Sequence, residues 1–521
     1  KDDDPLYKTA MEKATPGRFL VDMKRDGAWK VRGVKQGFKE RLHETDGPDF
    51  NYYAHSAEMS AIRALLLRPN RCNRRIATKD VRTAFLQSVP YPPGKVKYLK
   101  MKHPESGEWM YFEQSGPIYG ENSAPVHWGG GTLTPFLVND CGFRRGENHK
   151  CVYYHEARDL LMITQVDDFL MDGNQEDIEW ADKMIGNRFD CKDLEYLQIG
   201  LPLDFMGIQV LLTDTHLHLS MAPFIDKMVA EMAELGLKLL KRKVSQPLSQ
   251  PIDTEAPHLS PREKHVFLSG NGCVAWLANT TRLDVSHAFS RIGQHSAHPN
   301  TSAMQALVHT ISYLEQHKHL TLAQRLFPED VRISSVATPK DQQHGFLFYA
   351  DTDHAGNSEV QNKRRSQNGA VMMVDEAPTY WHSKVSSVAF ATPLIGEAHA
   401  DWSSGAVEVY GAGNATVAFL DQSYLFDECG MKFPVPFKLG LDNTTAEAFA
   451  KGTVKRSKLK HIDCRQEWVQ VLRDKNVMIP THVDTEENLA DIFTKILDPK
   501  PFTYLRDRMM SFFKGPSTHP S

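Results

Sequence analysis

Gln165-Val166-Asp167-Asp168-Phe169-Leu170-Met171 is the most informative stretch of this sequence. Two adjacent carboxylates stand between apolar flanks, and neighbouring residues of an extended strand point to opposite faces. One carboxylate would therefore face a core, where an unpaired charge is costly. A tight hairpin turn whose carboxylates hold a metal ion removes that cost, and a solvated β-turn without metal is the alternative interpretation.

A second acidic stretch, Lys79-Asp80-Val81-Arg82-Thr83-Ala84-Phe85, follows a strand-like segment. Taken alone, Asp80 also fits the N-cap of a helix. Taken with Asp167 and Asp168, it completes a set of three hard oxygen ligands. Such a set suits a pair of Mg²⁺ ions about 3.5–4 Å apart, which activate an attacking hydroxyl and stabilise a leaving pyrophosphate.

The composition limits the fold and function further. The 521 residues are 41% hydrophobic and 24% charged, which predicts globular cores in about three domains of ~150 residues each. With 61 basic and 65 acidic residues, the net charge of -4 excludes nucleic-acid binding through overall positive charge alone. The seven sparse cysteines, none at zinc-ligand spacing, fit a reducing compartment. No apolar run approaches the ~20 residues of a membrane helix, and the charged start without Met is interpreted as part of a longer chain.

Several local patterns subdivide the chain. Apolar periodicity predicts helices over 56–67, 178–189, 224–235, 304–316 and 462–472. A Pro- and Ser-rich stretch over 248–261 predicts a linker, and a second strand-rich block begins near Gln343. Basic clusters are candidate phosphate contacts, with solvated faces as the alternative. They lie at 68–82, 238–243, 363–365 and 451–460.

The two acidic stretches resemble the reverse transcriptase of copia-type retrotransposons. That family's Asp-Val-Lys-x-Ala-Phe-Leu segment supplies a first catalytic Asp, matched by Asp80, and its Tyr-Val-Asp-Asp turn supplies two more, matched by Asp167 and Asp168. Gln165 stands in place of the Tyr. The family's Leu-Tyr-Gly-Leu-Lys-Gln-Ala-Pro-Arg-x-Trp resembles Ile118–Trp128, which keeps Tyr, Gly, Ala, Pro and Trp but lacks the Lys and Arg.

The same resemblance implies substrate contacts. Lys30–Phe38 is similar to the family's Lys-Ala-Arg-Leu-Val-Ala-Lys-Gly-Phe, so Arg32 would contact the triphosphate of an incoming dNTP. Phe85 would lie under the sugar and exclude a 2′-hydroxyl. Tyr119 and Gly120 are likewise implied at the substrate. A solvated strand Arg and a core Phe are the alternative interpretations of the first two.

A C-terminal set of acids resembles the ribonuclease H domain that follows this reverse transcriptase. The matching segments are 349–356, 363–369, 403–408, 441–443 and 488–495. By that match, the acids that would hold two Mg²⁺ and activate water against an RNA phosphodiester are Asp351, Glu408, Asp442 and Asp491. Glu397 competes for the role of Glu408, within a segment 391–402 that looks like an insertion.

The resemblance as a whole implies an α/β and α+β multidomain chain, a right-hand polymerase followed by an RNase H-like domain. The expected parts are fingers and palm over 1–215, a thumb or connection over 216–340, the RNase H-like domain over 341–500 and a tail over 501–521. The implied partners are an RNA template, a DNA primer and product, an RNA–DNA hybrid and dNTPs, without a membrane. The implied setting is intracellular, in cytoplasmic virus-like particles and the nucleus.

The implied activity is RNA-directed DNA synthesis joined to cleavage of RNA in hybrids. Both would use two Mg²⁺ per active site, with Mn²⁺ as a substitute. The alternative is a degenerate or domesticated nucleic-acid-binding descendant without efficient catalysis. Gln165, the altered 118–128 segment and the inserted Gly129-Gly130-Gly131 favour that alternative. The presence of all seven metal-binding acids argues against it.

Overall fold

A computed structural model describes most of the chain. The described residues are 5–23, 29–40, 46–47, 49–68, 74–326, 346–353, 366–386, 404–433, 435–453 and 464–513. They belong to two compact units. The first comprises Lys1–Glu58, Asn73–Tyr196 and Glu428–Gly430, and the second Met59–Cys72, Leu197–Asp427 and Met431–Ser521. The domain boundaries expected at 215, 340 and 500 stay predictions.

Helices cover the positions at which apolar periodicity predicts them. In chain order they are α1 (Pro5–Lys13), α2 (Met59–Leu66), α3 (Ala124–Trp128), α4 (Gln175–Arg188), α5 (Ala222–Glu234), α6 (Pro261–Thr280), α7 (Ser286–Gly293), α8 (Thr301–Gln316), α9 (Ser404–Glu428), α10 (Thr444–Ala450), α11 (Cys464–Asp474) and α12 (Pro499–Asp507). The five predicted helices correspond to α2, α4, α5, α8 and α11 and are confirmed, with ends shifted by a few residues. Among the described helices, none is long and apolar enough to cross a bilayer.

The first unit contains two sheets. A four-stranded sheet has the order β2-β1-β4-β5, and a six-stranded antiparallel sheet has the order β10-β3-β9-β8-β7-β6. Their strands are β1 (Thr15–Met23), β2 (Trp29–Lys35), β3 (Arg75–Asp80), β4 (Lys97–Lys102), β5 (Trp109–Gln114), β6 (Arg144–Arg145), β7 (Val152–His155), β8 (Leu160–Gln165), β9 (Asp168–Gly173) and β10 (Glu195–Tyr196).

The core of the first unit explains why the acidic stretch has apolar flanks. Phe169 and Met171 of β9 and Leu160 and Met162 of β8 are fully buried in one cluster. The apolar positions of α4 pack into the same cluster, and Asn174 caps that helix by accepting a hydrogen bond from the Asp177 amide. The β8–β9 hairpin is therefore fixed by burial on both sides of its turn.

The second unit also contains two sheets. One is antiparallel with the order β11-β12-β13-β14-β20, and the other has the order β17-β16-β15-β18-β19, with β15, β18 and β19 parallel. Their strands are β11 (Leu203–Phe205), β12 (Ile208–Leu212), β13 (His216–Ser220), β14 (Leu320–Arg325), β15 (Leu347–Asp353), β16 (Gln367–Val374), β17 (Ala377–Val385), β18 (Phe437–Leu441), β19 (Met478–His482) and β20 (Ser511–Phe512).

Two segments of the second unit differ in structure from what their sequence pattern predicts. The stretch expected as a linker is irregular, but it lies inside this unit and buries Leu248 and Ile252. The expected C-terminal tail contributes β20, which pairs with β14. Isolated buried apolar residues anchor the first segment and strand pairing anchors the second, and neither leaves a periodic signal in the sequence.

Candidate active sites

A two-residue turn joins β8 to β9 and carries the first pair of acids. Gln165 and Asp168 are cross-strand partners, so Val166 and Asp167 form the turn. Val166 has φ +57° and Asp167 does not share a positive φ, the pattern of a type II′ turn that usually has glycine first. A β-branched residue there is strained. The indole N–H of Trp128 donates to the Val166 carbonyl at 2.5 Å and helps to hold this conformation.

Gln165 has a defined contact at the position where the resemblance expects Tyr. Its side-chain oxygen accepts a hydrogen bond from the Ala57 amide at 2.7 Å. This bond ties the end of β8 to the irregular segment before α2. The substitution therefore brings its own hydrogen bond, which the sequence alone did not indicate.

Asp80 joins the two acids of the turn through strand pairing. It is the last residue of β3 and lies directly opposite Asp168 of β9, and the Val81 amide donates to the Asp167 carbonyl at 2.9 Å. Asp80 ends a strand, so the alternative of a helix N-cap is wrong. Burial, and then the charge of Asp80, raise the pKa of Asp167. Lys192 Nζ lies 2.8 Å from Asp80 Oδ2.

The residues with implied substrate contacts surround these acids. The Arg32 guanidinium carbon lies 5.7 Å from the Tyr119 ring centroid, and the Phe85 ring meets Tyr119 edge-on at 5.2 Å. Burial, followed by the charge of Asp167, raises the pKa of Tyr119. Phe85 is half-buried. It packs against the core of the first unit and also contacts the Tyr119 ring.

Gly120 allows its segment to approach the end of β2. The residue has φ +78°, and a Cβ at this position would clash with the Lys35 carbonyl oxygen. The Lys35 amide donates to Tyr119 O at 2.8 Å, and the Gly37 amide donates to Gly120 O at 3.0 Å. Gly120 therefore acts here through its backbone, by bringing Tyr119 beside Arg32.

A buried ion cluster supports this segment, and sequence reasoning missed it. Its members are Lys35, Glu40, Asp46, Lys97 and Glu121. Lys35 Nζ lies 3.0 Å from Glu40, and Lys97 Nζ lies 2.6 Å from Glu121 and 2.8 Å from Asp46, with all five side chains at most 1% exposed.

Two members of the buried ion cluster are departures from the family pattern. Lys35 stands where the resemblance has Ala, and Glu121 stands where it has Leu. Burial acts to raise the pKa of Glu121, but the Lys35 and Lys97 ammonium groups outweigh it and hold that pKa below its usual value. The two departures therefore balance each other in charge.

The second acid cluster is built on the central strand β15. Asp351 lies on β15, Asp442 follows β18, and Asp491 lies in the 3-10 turn Leu489–Phe493. Their carboxylate oxygens come within 4.8 Å of one another. Asn488 fixes the turn by accepting a hydrogen bond from the Ala490 amide at 3.1 Å.

Glu408 reaches the same cluster from α9. A Cβ on Gly411 would clash with Thr352 Oγ1, so this glycine lets α9 pack closely against β15 one turn after Glu408. Burial raises the pKa values of Glu408, Asp442 and Asp491, and the Asp351 carboxylate adds to each rise. Hard oxygen donors that repel one another in this way fit a divalent cation.

A lysine contacts the second cluster as well. Lys495 Nζ lies 2.9 Å from Asp491 Oδ1 and 3.4 Å from Asp351, and the Thr494 hydroxyl donates to Asp351. Sequence reasoning missed Lys495, although its spacing of four residues from Asp491 was a usable signal. The competing Glu397, the 391–402 segment and the basic cluster 363–365 lie outside the described residues.

Comparison with known proteins gives a family match in the N-terminal part of the chain and relatives that cover most of it. Residues 10–238 match the family described as reverse transcriptase (RNA-dependent DNA polymerase). The chain is 22% identical to the Retrovirus-related Pol polyprotein from transposon TNT 1-94 of Nicotiana tabacum, over 94% of this chain and 35% of that protein. It is 23% identical to the corresponding polyprotein from transposon RE1 of Arabidopsis thaliana, over 91% of this chain and 30% of that protein.

The chain therefore spans about a third of the length of these curated relatives. Among solved structures, a foamy viral protease–reverse transcriptase in complex with double-stranded DNA is similar, with a TM-score of 0.50 and 12% identity over 93% of this chain and 68% of that chain. This likeness confirms the expected fold class. Residues 10–238 are thus similar to the reverse transcriptase family, and the chain resembles the Pol polyproteins of copia-type retrotransposons.

Proposed function

We propose that this chain is an RNA-directed DNA polymerase whose C-terminal region is a ribonuclease H that cleaves RNA in RNA–DNA hybrids. The observation that carries the polymerase assignment is the register of β3 and β9. It sets Asp80 opposite Asp168, with Asp167 in the adjoining turn. Three carboxylates in this arrangement beside Arg32, Phe85 and Tyr119 form a site for an anionic nucleotide and its metal ions.

The two acid clusters are the proposed metal ligands. Asp80, Asp167 and Asp168 would hold one pair of Mg²⁺ ions, and Asp351, Glu408, Asp442 and Asp491 would hold another, with Mn²⁺ as a substitute. When bound, such ions polarise a phosphoryl oxygen and lower the pKa of an attacking hydroxyl or water. The carboxylates contribute ligands of the right chemistry and a mutual repulsion that a divalent cation relieves.

In the polymerase, side chains of the first unit would select and orient the nucleotide. Arg32 would bind the triphosphate through charge-assisted hydrogen bonds. Its position over Tyr119 restrains the guanidinium, which lowers the entropy lost on binding. The Phe85 ring would lie against the sugar and exclude a 2′-hydroxyl by steric contact. The rigid β8–β9 turn would hold Asp167 and Asp168 in place for the primer end.

In the ribonuclease H, the fixed carboxylates of the second unit would orient water toward an RNA phosphodiester. Asp351 is buried on a central strand and cannot move far, which suits a ligand that sets the geometry of the others. Glu408 and Asp442 are half-buried, so solvent has access to both residues.

The proposed partners are an RNA template, a DNA primer and product, and dNTPs. Support comes from the family and from the similar foamy viral protein, whose structure contains double-stranded DNA. The exposed Lys238, Lys241, Arg242 and Lys243 provide local positive charge for a phosphate backbone. Binding through local patches agrees with a near-neutral chain.

The departures from the copia-type pattern that favour a descendant without catalysis are accommodated within the fold. Lys35 and Glu121 replace an apolar pair by an opposite-charge pair. Gln165 makes its own hydrogen bond to Ala57. All seven proposed metal-binding acids are present in the sequence, which argues against this alternative.

Primer extension tests the polymerase. The full chain is given poly(rA)/oligo(dT), dTTP and Mg²⁺, beside the variant Asp80→Asn/Asp167→Asn/Asp168→Asn. We expect extension by the parent and a loss of at least about 100-fold in the variant. Retained hybrid cleavage in the variant would show that it is folded. Extension at the parent rate in the variant would refute the assignment.

Cleavage of a labelled RNA–DNA hybrid tests the ribonuclease H. Asp442→Asn is expected to abolish cleavage and to leave primer extension intact, since the two acid clusters share no residue. A protein that binds hybrid but neither extends nor cleaves would support the noncatalytic alternative. Cleavage that persists in Asp442→Asn would remove Asp442 from the proposed ligands.

A further inference from the structure

Lys495 lies among the carboxylates of the second acid cluster. Its ammonium nitrogen is 2.9 Å from Asp491 Oδ1 and 3.4 Å from Asp351. The ammonium also acts against the raised pKa values of Glu408 and Asp442. The positive charge of Lys495 therefore acts on four acids. It contacts Asp351 and Asp491 directly and acts on Glu408 and Asp442 by longer-range electrostatic attraction.

This cluster needs positive charge to stay together in the folded chain. Carboxylate oxygens of Asp351, Asp442 and Asp491 come within 4.8 Å of one another. At such distances and away from bulk water, the repulsion between ionised groups is large. Without a metal ion, the ammonium of Lys495 supplies part of the compensating charge.

Exposure distinguishes the lysine from its partners. The side chain of Lys495 is 35% exposed, whereas those of Asp351 and Asp491 are 0% and 7% exposed. The carboxylates are therefore fixed by their surroundings. Lysine has a flexible four-carbon stem and a strongly hydrated head, so its ammonium can move into solvent at low cost.

We propose that Lys495 is a displaceable internal counter-cation, which holds the acid cluster in the metal-free protein and competes with divalent cations for Asp351 and Asp491. This inference rests on the proposed ribonuclease H site and adds a residue that sets its metal affinity. Lys495 is here a positioning residue, since it acts through the two carboxylates. Because it stabilises the metal-free state alone, its presence weakens apparent metal binding.

Metal titration of the full chain tests the proposal. The background is Asp80→Asn/Asp167→Asn/Asp168→Asn, so that divalent cations titrate the second cluster. Binding of Mg²⁺, and separately of Mn²⁺, is measured by calorimetry for this parent and for Lys495→Met, which keeps the stem and removes the charge. We expect Kd to fall by about tenfold in the Met variant, the scale of one charge-assisted hydrogen bond.

Thermal unfolding gives the second readout. Lys495→Met is expected to lower the midpoint of the metal-free protein and to leave that of the metal-saturated protein unchanged. Lys495→Arg keeps the charge and is expected to retain a Kd close to that of the parent. Lys500→Met, at an exposed lysine of α12, is the matched control and should change neither quantity. If Lys495→Met does not fold, Lys495→Gln takes its place.

The outcomes separate this proposal from the function on which it rests. An unchanged or weaker Kd in Lys495→Met, with lowered midpoints in both states, would mean a purely structural lysine and would overturn the proposal alone. A parent that binds neither Mg²⁺ nor Mn²⁺ would overturn the metal site and the role of Lys495 together.

Discussion

Single residues of the buried ion cluster show how this chain accommodates departures from the copia-type pattern that it resembles. Lys35 and Glu121 replace a small apolar residue and a large one, and both are completely enclosed. A buried charge is tolerated only with partners, and removal of one partner leaves an uncompensated charge. The stability of the first unit should therefore depend on both residues together.

A double-mutant cycle checks this dependence. Lys35→Ala and Glu121→Leu are each expected to lower the free energy of unfolding by about 3–5 kcal/mol. The double variant should lose about 1–3 kcal/mol less than the sum, because it removes opposite charges together. Urea unfolding measures all four proteins. The exposed pair Lys227 and Glu231 provides the control, with single and coupling effects below about 0.5 kcal/mol on change to Ala. Additive losses at Lys35 and Glu121 would contradict the expectation.

At the scale of elements, glycines divide into those that permit close approach and those that weaken a helix. Gly120 has a positive φ and a neighbouring carbonyl in contact. Gly129 and Gly130 lie in the π-helical turn that follows α3, and the space that a methyl group would occupy at each is open. Gly129, Gly130 and Gly131 therefore form part of one wide helical turn.

Opposite effects on stability are expected at the two kinds of glycine. Gly130→Ala should raise the free energy of unfolding by about 0.5–1 kcal/mol, because it removes backbone freedom from a helical residue. Gly120→Ala should lower it by more than about 2 kcal/mol, since its Cβ would meet a backbone oxygen. Gly94 also has a positive φ, but a Cβ there would contact nothing, so Gly94→Ala measures the cost of the backbone conformation alone. Thermal unfolding of the three variants would contradict this explanation if Gly120→Ala and Gly94→Ala were alike.

A second element-scale feature is the irregular segment 240–247, which is fixed along α8. The Leu240 amide donates to Ser312 at 3.0 Å, the Val244 amide donates to Gln316 at 2.9 Å, and Thr310 donates to the Pro247 carbonyl at 2.8 Å. These bonds hold a basic segment with its charged side chains exposed. Because the backbone of this segment is already fixed, it loses little conformational entropy when its charged side chains bind phosphates.

Salt dependence measures the contribution of this segment. Lys241→Gln/Arg242→Gln/Lys243→Gln should lower the slope of log K against log salt for an RNA–DNA hybrid by about 2–3, because each phosphate contact releases counterions. Lys183→Gln/Lys227→Gln/Lys500→Gln removes the same charge from other exposed positions and should leave the slope nearly unchanged. Equal slopes for the two triple variants would show that net charge alone governs binding.

The helices, the β8–β9 hairpin and the acidic residues were predictable from the sequence, but the long-range contacts of individual residues were not. Buried apolar runs and paired acids are local signals, so the β8–β9 hairpin and the helices were found where expected. The contact between Lys192 and Asp80 spans 112 residues, and that between Gln165 and Ala57 spans 108. Contacts of this kind have no periodicity or spacing, and only the folded chain brings them together.

At the scale of the whole molecule, buried neutral histidines contribute to the loss of stability in acid. Burial, and then the charge of His216, lower the pKa of His218 to about 4, and burial, followed by Arg291, lowers the pKa of His287 to about 4. In the unfolded chain both pKa values lie near 6.5. The unfolded state therefore takes up protons first as the pH falls.

The sign of the pH dependence follows from these directions. The stability from each histidine is fully present above pH 6.5 and is lost as the pH falls toward 4, at up to about 1.4 kcal/mol per pH unit per site. His287→Gln should make the free energy of unfolding fall less steeply between pH 6.5 and 4, because about one proton fewer is taken up on unfolding. His298→Gln, at an exposed position, should leave the slope unchanged. Urea unfolding across this pH range measures both slopes. A fall in His287→Gln as steep as that of the parent would refute the expectation.

The lysines at the two acid clusters have a consequence for the order of events in the life of the chain. Lys192 at Asp80 is 56% exposed and Lys495 at Asp491 is 35% exposed, so each cluster has positive charge that comes from the chain itself. If Lys495 acts as proposed, we expect the metal-free chain to fold without a divalent cation. Folding and metal loading would then be separable steps that can be studied one at a time.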